Sequence, residues 1–386
     1  MLFKDVLVEE SLKRQLINLV KENRISHAQL FLGPPGSHKF ALAVAYAQYL
    51  CCQNRGEDDS CGVCPSCVQF SKLSHPDFHL IFPNCITKKV KKDPDYKQFT
   101  SEFIDFILQQ DYQIDLNDWN AILGGENKQT FINARDCSHI IAQNSIRSYS
   151  GGYKIYLLWM VEKLYPSAAP KLLKTLEEPE NKTLFILIAE NSDNILPTIL
   201  SRTQLVKIPI LNKDTIQSQL AKNYNISEEM AADIAEIADG NYINALKIYQ
   251  DNGELKEMLR QFHFFMDSSI ANINNDLEKV KFIELLDLFN TIISQEREGQ
   301  KSFIRYMIRM FRNILLLNTN NSTLIKATAD EKKVIQLFSP HIRLQNISSI
   351  MEACNQAIYH IERNGNSSLI FTDLYLKITD YLKPKK

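Results

Sequence analysis

The sequence lacks any apolar run of the roughly 18–20 residues that a membrane-spanning helix needs. Among the longest is IYLLWMV, from Ile155 to Val161, which has the length of a buried strand. The first ten residues, MLFKDVLVEE, carry acids and lack the basic-then-apolar order of a signal peptide. We therefore expect a cytosolic protein that makes no contact with a membrane.

The sequence also lacks an excess of charge of either sign, with 44 Lys and Arg against 45 Asp and Glu. This balance excludes a general attraction to nucleic acid, so any such contact must come from a local patch or from a partner. The motifs GxSxG and HExxH are absent, and no pair of carboxylates suggests acid–base catalysis. With 386 residues, the chain is long enough for two or three domains.

The first half of the chain alternates short apolar strands with helices. This pattern predicts an α/β domain with a mostly parallel sheet covered on both faces. From Ile210 onward the sequence contains no convincing strand. We predict an α/β domain at 1–209, a small helical domain at 210–253 and an all-helical domain at 254–386. The predicted strands span 28–33, 77–82, 153–161, 184–190 and 204–208.

One segment, residues 84–130, fits the alternation poorly and is predicted to be an insertion on the surface of the α/β domain. It contains the basic run KKVKKD, from Lys88 to Asp93, a pattern typical of a solvated loop and less often of a nucleic-acid contact. The stretch FTSEFIDFILQQ predicts a helix with Phe103, Phe106 and Ile107 on one face.

The stretch GPPGSHKFALA resembles a phosphate-binding loop that has lost required residues. Gly33, Gly36 and Lys39 are in register with the motif. A predicted strand precedes the loop and a predicted helix follows it, which is the context that the motif requires. His38 stands where the second glycine is required, and Phe40 replaces the hydroxyl that ligates Mg²⁺. The stretch is either a chance match or part of a nucleotide-binding fold that has lost its nucleotide, and the strand–loop–helix context favours the second interpretation.

Five of the eight cysteines lie between positions 51 and 67. Cys52, Cys61, Cys64 and Cys67 have the spacing C-x8-C-x2-C-x2-C, which suits one tetrahedral Zn²⁺. Four protein ligands leave no open position, so the predicted zinc is structural. Cys51 competes with Cys52 as a ligand, although adjacent helical residues face about 100° apart. Free or redox-active cysteines are the alternative interpretation.

Several motifs together resemble the bacterial clamp-loader family of AAA+ proteins, whose subunits open the sliding clamp around DNA for the replicative polymerase. They are LLKTLEEP at 172–179, LPTILSR at 196–202, HPDF at 75–78 after the zinc module at 52–67, and SSLIFTDLYLKITDYL near the end. The resemblance covers nearly all of the chain except about 84–130. It implies an AAA+ domain with an embedded zinc module, a small helical lid and a helical collar.

Departures from the family pattern indicate which kind of subunit this is. The resemblance implies Asp-Glu where this chain has Trp159 and Met160, and neither side chain can hold Mg²⁺ or activate water. A family motif ending in a phosphate-sensing Arg appears as GNYI, with Ile243 in the place of the Arg. Arg202, in the sequence SRT, matches the family's arginine finger, which reaches into the ATP site of a neighbouring subunit.

The resemblance thus implies a non-catalytic subunit that donates Arg202 in trans. Its implied partners are ATP-hydrolysing motor subunits and a clamp-opening subunit, with the sliding clamp and primer–template DNA reached through the complex. One alternative is a working motor ATPase with an atypical site, and another is a zinc-dependent DNA-binding module. Arg305, Arg309 and Arg312 follow i, i+4, i+7 spacing, which favours a solvated helix face over a subunit or DNA contact.

Overall fold

The computed structural model describes residues 1–124, 129–250, 253–273 and 282–383. Part of the predicted insertion, residues 125–128, therefore lies outside the described residues. The chain forms two compact units, the first made of residues 1–219 and 240–245, the second of residues 220–239 and 246–386. The division into three domains at 209 and 253 stays a prediction.

The first unit is built on a five-stranded sheet in the order β2-β3-β4-β1-β5, in which every neighbouring pair is parallel. The parallel sheet predicted from the alternating pattern is confirmed. Strands β3 and β4 are buried along their whole length, as their uninterrupted apolar sequences predict. The strands are β1 Ala28–Leu32, β2 Phe78–Ile81, β3 Lys154–Trp159, β4 Thr183–Ala189 and β5 Gln204–Lys207.

Helices of the first unit cover this sheet. Pro170 lies in the first turn of α7, where its missing N–H is tolerated. These helices are α1 Glu10–Lys21, α2 Lys39–Cys51, α3 Pro65–Ser71, α4 Thr100–Gln109, α5 Leu116–Ile122, α6 Ala134–Asn144, α7 Ala169–Glu177 and α8 Pro197–Leu200. Short 3-10 helices occupy Phe3–Asp5, Tyr96–Phe99, Val161–Lys163 and Ser192–Asn194.

The insertion contributes to the core of the first unit instead of lying on its surface as predicted. An aromatic cluster joins it to the ends of β2 and β3, and its members are Phe82, Phe103, Phe106, Trp119 and Trp159. The ring centroids of Phe103 and Phe82 are 3.8 Å apart, and those of Phe103 and Trp159 are 5.4 Å apart. Burying these five large rings from α4, α5 and the strand ends requires the predicted apolar face of α4 to pack inward.

The second unit is helical throughout its described residues, in agreement with the absence of strand patterns after Ile210. Helices α9, Lys213–Tyr224, and α11, Tyr242–Gln250, each belong in part to both units. The others are α10 Glu228–Ala238, α12 Glu254–Ile273, α13 Phe282–Ile293, α14 Arg297–Asn318, α15 Ala329–Phe338, α16 Leu344–Glu362 and α17 Ser367–Leu382, with 3-10 helices at Ser322–Leu324 and Ser339–His341. Across the described ranges, no helix combines the length and apolarity required to cross a bilayer.

Candidate functional site

The loop between β1 and α2, where the sequence resembles a phosphate-binding loop, contains two residues with a positive φ. Gly36 has φ +72°, and a Cβ at this position would lie 2.1 Å from Asn241 Oδ1, so a larger residue does not fit. His38 has φ +58°, in the left-handed region that glycine adopts without strain. The conformation that the motif's second glycine supplies therefore persists here with a histidine side chain.

The His38 ring is buried and contacts three separate segments of the first unit. Its Nδ1 accepts the backbone N–H of Leu7 at 3.3 Å and lies 3.2 Å from Nε2 of Gln113. The ring also packs against Tyr242, with centroids 5.0 Å apart. Burial, assisted by the charge of Lys13, lowers the pKa of His38 to about 3. A neutral imidazole thus ties the loop to the N-terminal segment and to the insertion.

Acidification from pH 7 to pH 5 should destabilise the first unit through His38. Its pKa in the folded protein is about 3, below the ordinary value of about 6.5, so between these values the unfolded chain binds a proton that the native state does not. The contribution is complete above pH 6.5 and is lost as the pH falls. At about 1.4 kcal/mol per pH unit, the loss at pH 5 is about 2 kcal/mol. Urea unfolding followed by circular dichroism at both pH values measures it.

The matched variants are His38→Gln, which removes the titrating ring, and His360→Gln, which changes an exposed histidine of the second unit. The first should reduce the pH dependence without abolishing it, because burial also lowers the pKa of His79, to about 4. The second should leave the dependence unchanged. An identical pH dependence in His38→Gln and the wild type would show that His38 contributes nothing.

Lys39, the cation that a working loop directs at phosphates, is held by groups of its own chain. Its Nζ donates to Glu190 Oε1 at 3.1 Å and to the Pro34 carbonyl at 3.0 Å, and the side chain is 7% exposed. Glu162 accepts the backbone N–H of Glu190 at 2.7 Å and fixes that residue in place. Burial lowers the pKa of Lys39, and the Glu190 carboxylate opposes this effect. The Glu190 carboxylate therefore pairs with the Lys39 ammonium.

Apolar side chains occupy the positions at which the family resemblance implies catalytic groups. Trp159 and Met160 at the end of β3 are 2% and 4% exposed, and Phe103 from the insertion packs on Trp159. Phe40, in the place of the Mg²⁺-binding hydroxyl, is also buried. Indole, thioether and phenyl groups offer no oxygen ligand to Mg²⁺. Ile243 is likewise buried within the first unit.

The four cysteines of the predicted zinc module converge on one point. Their sulfur atoms all lie within 4.8 Å of one another. The Sγ atoms of Cys52 and Cys61 are 3.6 Å apart, and the Cys52–Cys64 and Cys61–Cys67 pairs are each 3.9 Å apart. A tetrahedral Zn²⁺ with Zn–S bonds of about 2.3 Å needs sulfurs about 3.8 Å apart. This cluster could therefore bind a metal ion.

Local structure explains how the cysteines come together. Cys52 follows the last residue of α2, Cys64 precedes the first residue of α3, and Cys67 lies in α3. The backbone N–H groups of Val63 and Cys64 lower the pKa of the Cys61 thiol. Cys51 has its Sγ 3.8 Å from the Tyr153 carbonyl, and burial raises the pKa of its thiol to about 12. The geometry thus favours Cys52 over Cys51 as the fourth ligand.

Arg202 lies between α8 and β5, at the edge of the sheet where β5 begins. Its guanidinium forms an ion pair with Glu177 and donates to the Thr198 carbonyl at 2.8 Å. The side chain remains 31% exposed. Because the strands are parallel, the residues before β5 lie at the amino ends of the strands and those after β1 lie at the carboxyl ends.

The three arginines of α14 do not form one uniform solvated face. Arg309 pairs with Glu331, which is 2% exposed, and its guanidinium also stacks on Tyr306 at 4.9 Å. Arg305 and Arg312 are exposed. The predicted solvated face therefore describes two of the three residues, while Arg309 stabilises the packing of α14 against α15.

Glu190 and Gln113 contact the altered loop, residues 33–39, and Glu162 binds the backbone of Glu190, but the sequence did not identify these three residues. Glu190 directly follows β4, and in a parallel sheet this position lies at the same edge as the loop after β1, so a topological signal existed. Gln113 offered no such signal, because it lies in an insertion whose packing the strand pattern does not determine.

The comparisons with known proteins agree with these features. The family model of the DNA polymerase III delta subunit matches residues 8–212, more than half of the chain. The tau subunit of DNA polymerase III from Bacillus subtilis (strain 168) is 23% identical, over 97% of this chain and 61% of that protein. The delta' subunit from the same organism is 25% identical, over 61% of this chain and 58% of that protein.

The match thus spans about 60% of the length of these two relatives. The delta' subunit of Escherichia coli (strain K12) is 21% identical, over 96% of this chain and 94% of that protein. The delta' subunits are thus among the relatives of this chain, and the chain belongs to the DNA polymerase III delta subunit family.

Proposed function

We propose that this chain is a non-hydrolysing subunit of a DNA polymerase III clamp loader. It assembles with ATP-hydrolysing motor subunits and a clamp-opening subunit, and the complex loads the sliding clamp onto primed DNA. The family match and the relatives named delta' and tau support this role. The proposal includes an AAA+ domain at 1–209, a lid at 210–253 and a collar at 254–386 through which the subunits assemble.

The ion pair between Lys39 and Glu190 is the observation that carries the non-hydrolysing assignment. Phosphoryl transfer needs a free cation near the terminal phosphates, an oxygen-bound Mg²⁺ and a residue that orients the attacking water. Here the cation already pairs with a carboxylate of the same chain, which would repel a phosphate. Trp159 and Met160 supply neither of the other two functions.

Arg202 supports a catalytic contribution to a neighbouring subunit. It lies at the amino ends of the strands, whereas the altered loop of its own subunit lies at their carboxyl ends. The strands β1 and β5 between them span five and four residues. At about 3.3 Å per residue the edges are roughly 15 Å apart, which is beyond the reach of an arginine side chain. A partly exposed guanidinium that cannot serve its own subunit suits an arginine finger in trans.

Zinc is the metal that the four-cysteine cluster suits best. Four thiolates in tetrahedral arrangement are typical of structural Zn²⁺ sites, and no position remains for water or substrate. Cys52, Cys61, Cys64 and Cys67 would hold the ion and fasten the end of α2 to the start of α3. The ion would stabilise the fold and take no part in a reaction.

The similarity to a tau subunit supports a second candidate function, that of a working motor ATPase. A zinc-dependent DNA-binding module is disfavoured by the net charge of −1 and by the position of the cysteines inside the α/β unit. ATP hydrolysis by the isolated chain discriminates between the motor and the non-hydrolysing subunit.

The purified chain should hydrolyse ATP no faster than the buffer background, because Phe40, Trp159 and Met160 can neither bind Mg²⁺ nor activate water. Lys39→Ala should give the same background rate. The chain should nevertheless elute together with motor subunits in size-exclusion chromatography. Hydrolysis that copurifies with the wild-type chain and disappears in Lys39→Ala would identify it as a motor ATPase.

A further inference from the structure

The insertion carries a concentrated patch of positive charge, the lysine loop, which we define as residues 87–92. Lys88, Lys89, Lys91 and Lys92 are all exposed. Glu102 lies 3.4 Å from Lys89, and the other three have no carboxylate partner within 4.0 Å among the residues that the structure describes. Four like charges within five residues repel one another, and this repulsion does not stabilise the fold.

The lysine loop is held in a defined shape despite its exposure. The backbone N–H of Thr87 donates to the Val90 carbonyl at 2.9 Å, and the N–H of Val90 donates to Thr87 Oγ1 at 3.0 Å. Val90 packs against the hydrophobic core and directs the flanking lysines outward. A loop anchored at its centre loses less conformational entropy on binding than a free tail.

The residues that follow the loop fasten it to α6. The Pro94 carbonyl accepts Asn133 Nδ2 at 2.7 Å, and the Asp93 carbonyl accepts the Arg135 guanidinium at 3.1 Å. Arg135 also pairs with the buried carboxylate of Asp95 at 3.1 Å, so that acid is already engaged. Asp95 is therefore paired with Arg135 and not with a lysine of the loop.

We propose that the lysine loop binds the phosphate backbone of DNA. The choice of DNA rests on the proposed function, because primed DNA is the polyanion that a clamp loader engages. The lysine ammonium is a flexible, strongly hydrated point charge that suits contacts with phosphate oxygens. The loop sequence TKKVKK contains no Arg, Asn or Gln, and contacts with phosphates alone suit a complex that acts at any sequence.

The position of the loop is compatible with the other proposed contact of this subunit. It follows β2 at the carboxyl edge of the parallel sheet, whereas Arg202 precedes β5 at the opposite edge. Contact with DNA and donation of Arg202 to a neighbour therefore use different surfaces of the first unit. One subunit could make both contacts at the same time.

The test measures fluorescence anisotropy of a fluorescein-labelled primer–template duplex titrated with the full chain at several salt concentrations. The variant carries Lys88→Gln, Lys89→Gln, Lys91→Gln and Lys92→Gln. Each lost phosphate contact should make the slope of log K against log salt less negative by about 0.9, so the variant's slope should change by about 3–4. Affinity at low salt should fall by about tenfold or more.

The matched control carries Lys4→Gln, Lys21→Gln, Lys72→Gln and Lys222→Gln, which removes the same charge from exposed positions elsewhere. It should bind DNA nearly as the wild type does. Equal losses in both variants would show a net-charge effect and overturn the proposal. Failure of the wild-type chain to bind the duplex at the lowest salt would overturn it as well.

Assembly with the motor subunits is measured in parallel on the same proteins. If the lysine-loop variant binds DNA normally but assembles poorly, the loop contacts an acidic protein surface and the DNA assignment is wrong. If the wild-type chain does not assemble at all, the proposed clamp-loader role fails, and the anisotropy data still decide the lysine loop on their own.

Discussion

In the reconstituted clamp loader, Arg202→Ala should lower DNA- and clamp-stimulated ATP hydrolysis in part and clamp loading much further. An arginine finger supplied in trans stabilises charge on the transferred phosphoryl group and is worth roughly 10³–10⁵ in rate at its site. Only one of several ATP sites would face this subunit, so the total hydrolysis rate retains the contribution of the others. Loading needs the sites to act together and therefore loses more.

Three controls separate this mechanism from a surface-charge effect. Arg202→Lys should be nearly as defective as the alanine variant, because an ammonium lacks the forked donors of a guanidinium. Arg24→Ala removes another exposed arginine paired with a glutamate in the first unit and should load clamps normally. Size-exclusion chromatography should show intact assembly of every variant. Wild-type loading by an intact Arg202→Ala complex would rule out the finger.

Cys64→Ser should remove about one equivalent of zinc per chain and strongly destabilise the first unit. A closed structural zinc site couples metal binding to folding, so losing one of four thiolates lowers both affinity and stability. Metal content by mass spectrometry and thermal unfolding measure the two effects. The expected consequence is a lower melting temperature together with metal loss, and chelation of the wild-type chain should reproduce it.

Cys51→Ser is the matched control, because its sulfur lies beside the Tyr153 carbonyl and outside the four-sulfur cluster. It should retain zinc, whereas Cys52→Ser should lose it. Loss of zinc from Cys51→Ser and retention of zinc by Cys52→Ser would show that Cys51, and not Cys52, is the ligand. Full metal retention by Cys64→Ser would contradict the site itself.

The sheet could be predicted because its information is local. Runs such as the one from Ile155 to Trp159 are apolar without alternation, and this pattern is typical of strands buried on both faces. The cysteine spacing was equally informative, since the separations within 61–67 restrict the sulfurs to short turns. In both cases a few neighbouring residues determine the geometry.

The contents of the altered loop could not be predicted, because they depend on long-range contacts. Lys39 and Glu190 are 151 positions apart, and the strand pattern places Glu190 near the loop after β1 without showing that it pairs with Lys39. Gln113 reaches His38 across 75 positions from a segment that the family resemblance does not cover. The sequence could show that catalytic residues are missing, but only the packing reveals which side chains occupy their places.

The aromatic cluster has a spectroscopic consequence. The chain contains two tryptophans, Trp119 and Trp159, and both are buried in this cluster within the first unit. Each lies in ring contact with Phe103, so both indoles sense the junction between the insertion and the sheet. Indole emission is therefore an intrinsic fluorescent reporter of that junction alone, and melting of the C-terminal helices is silent in this channel.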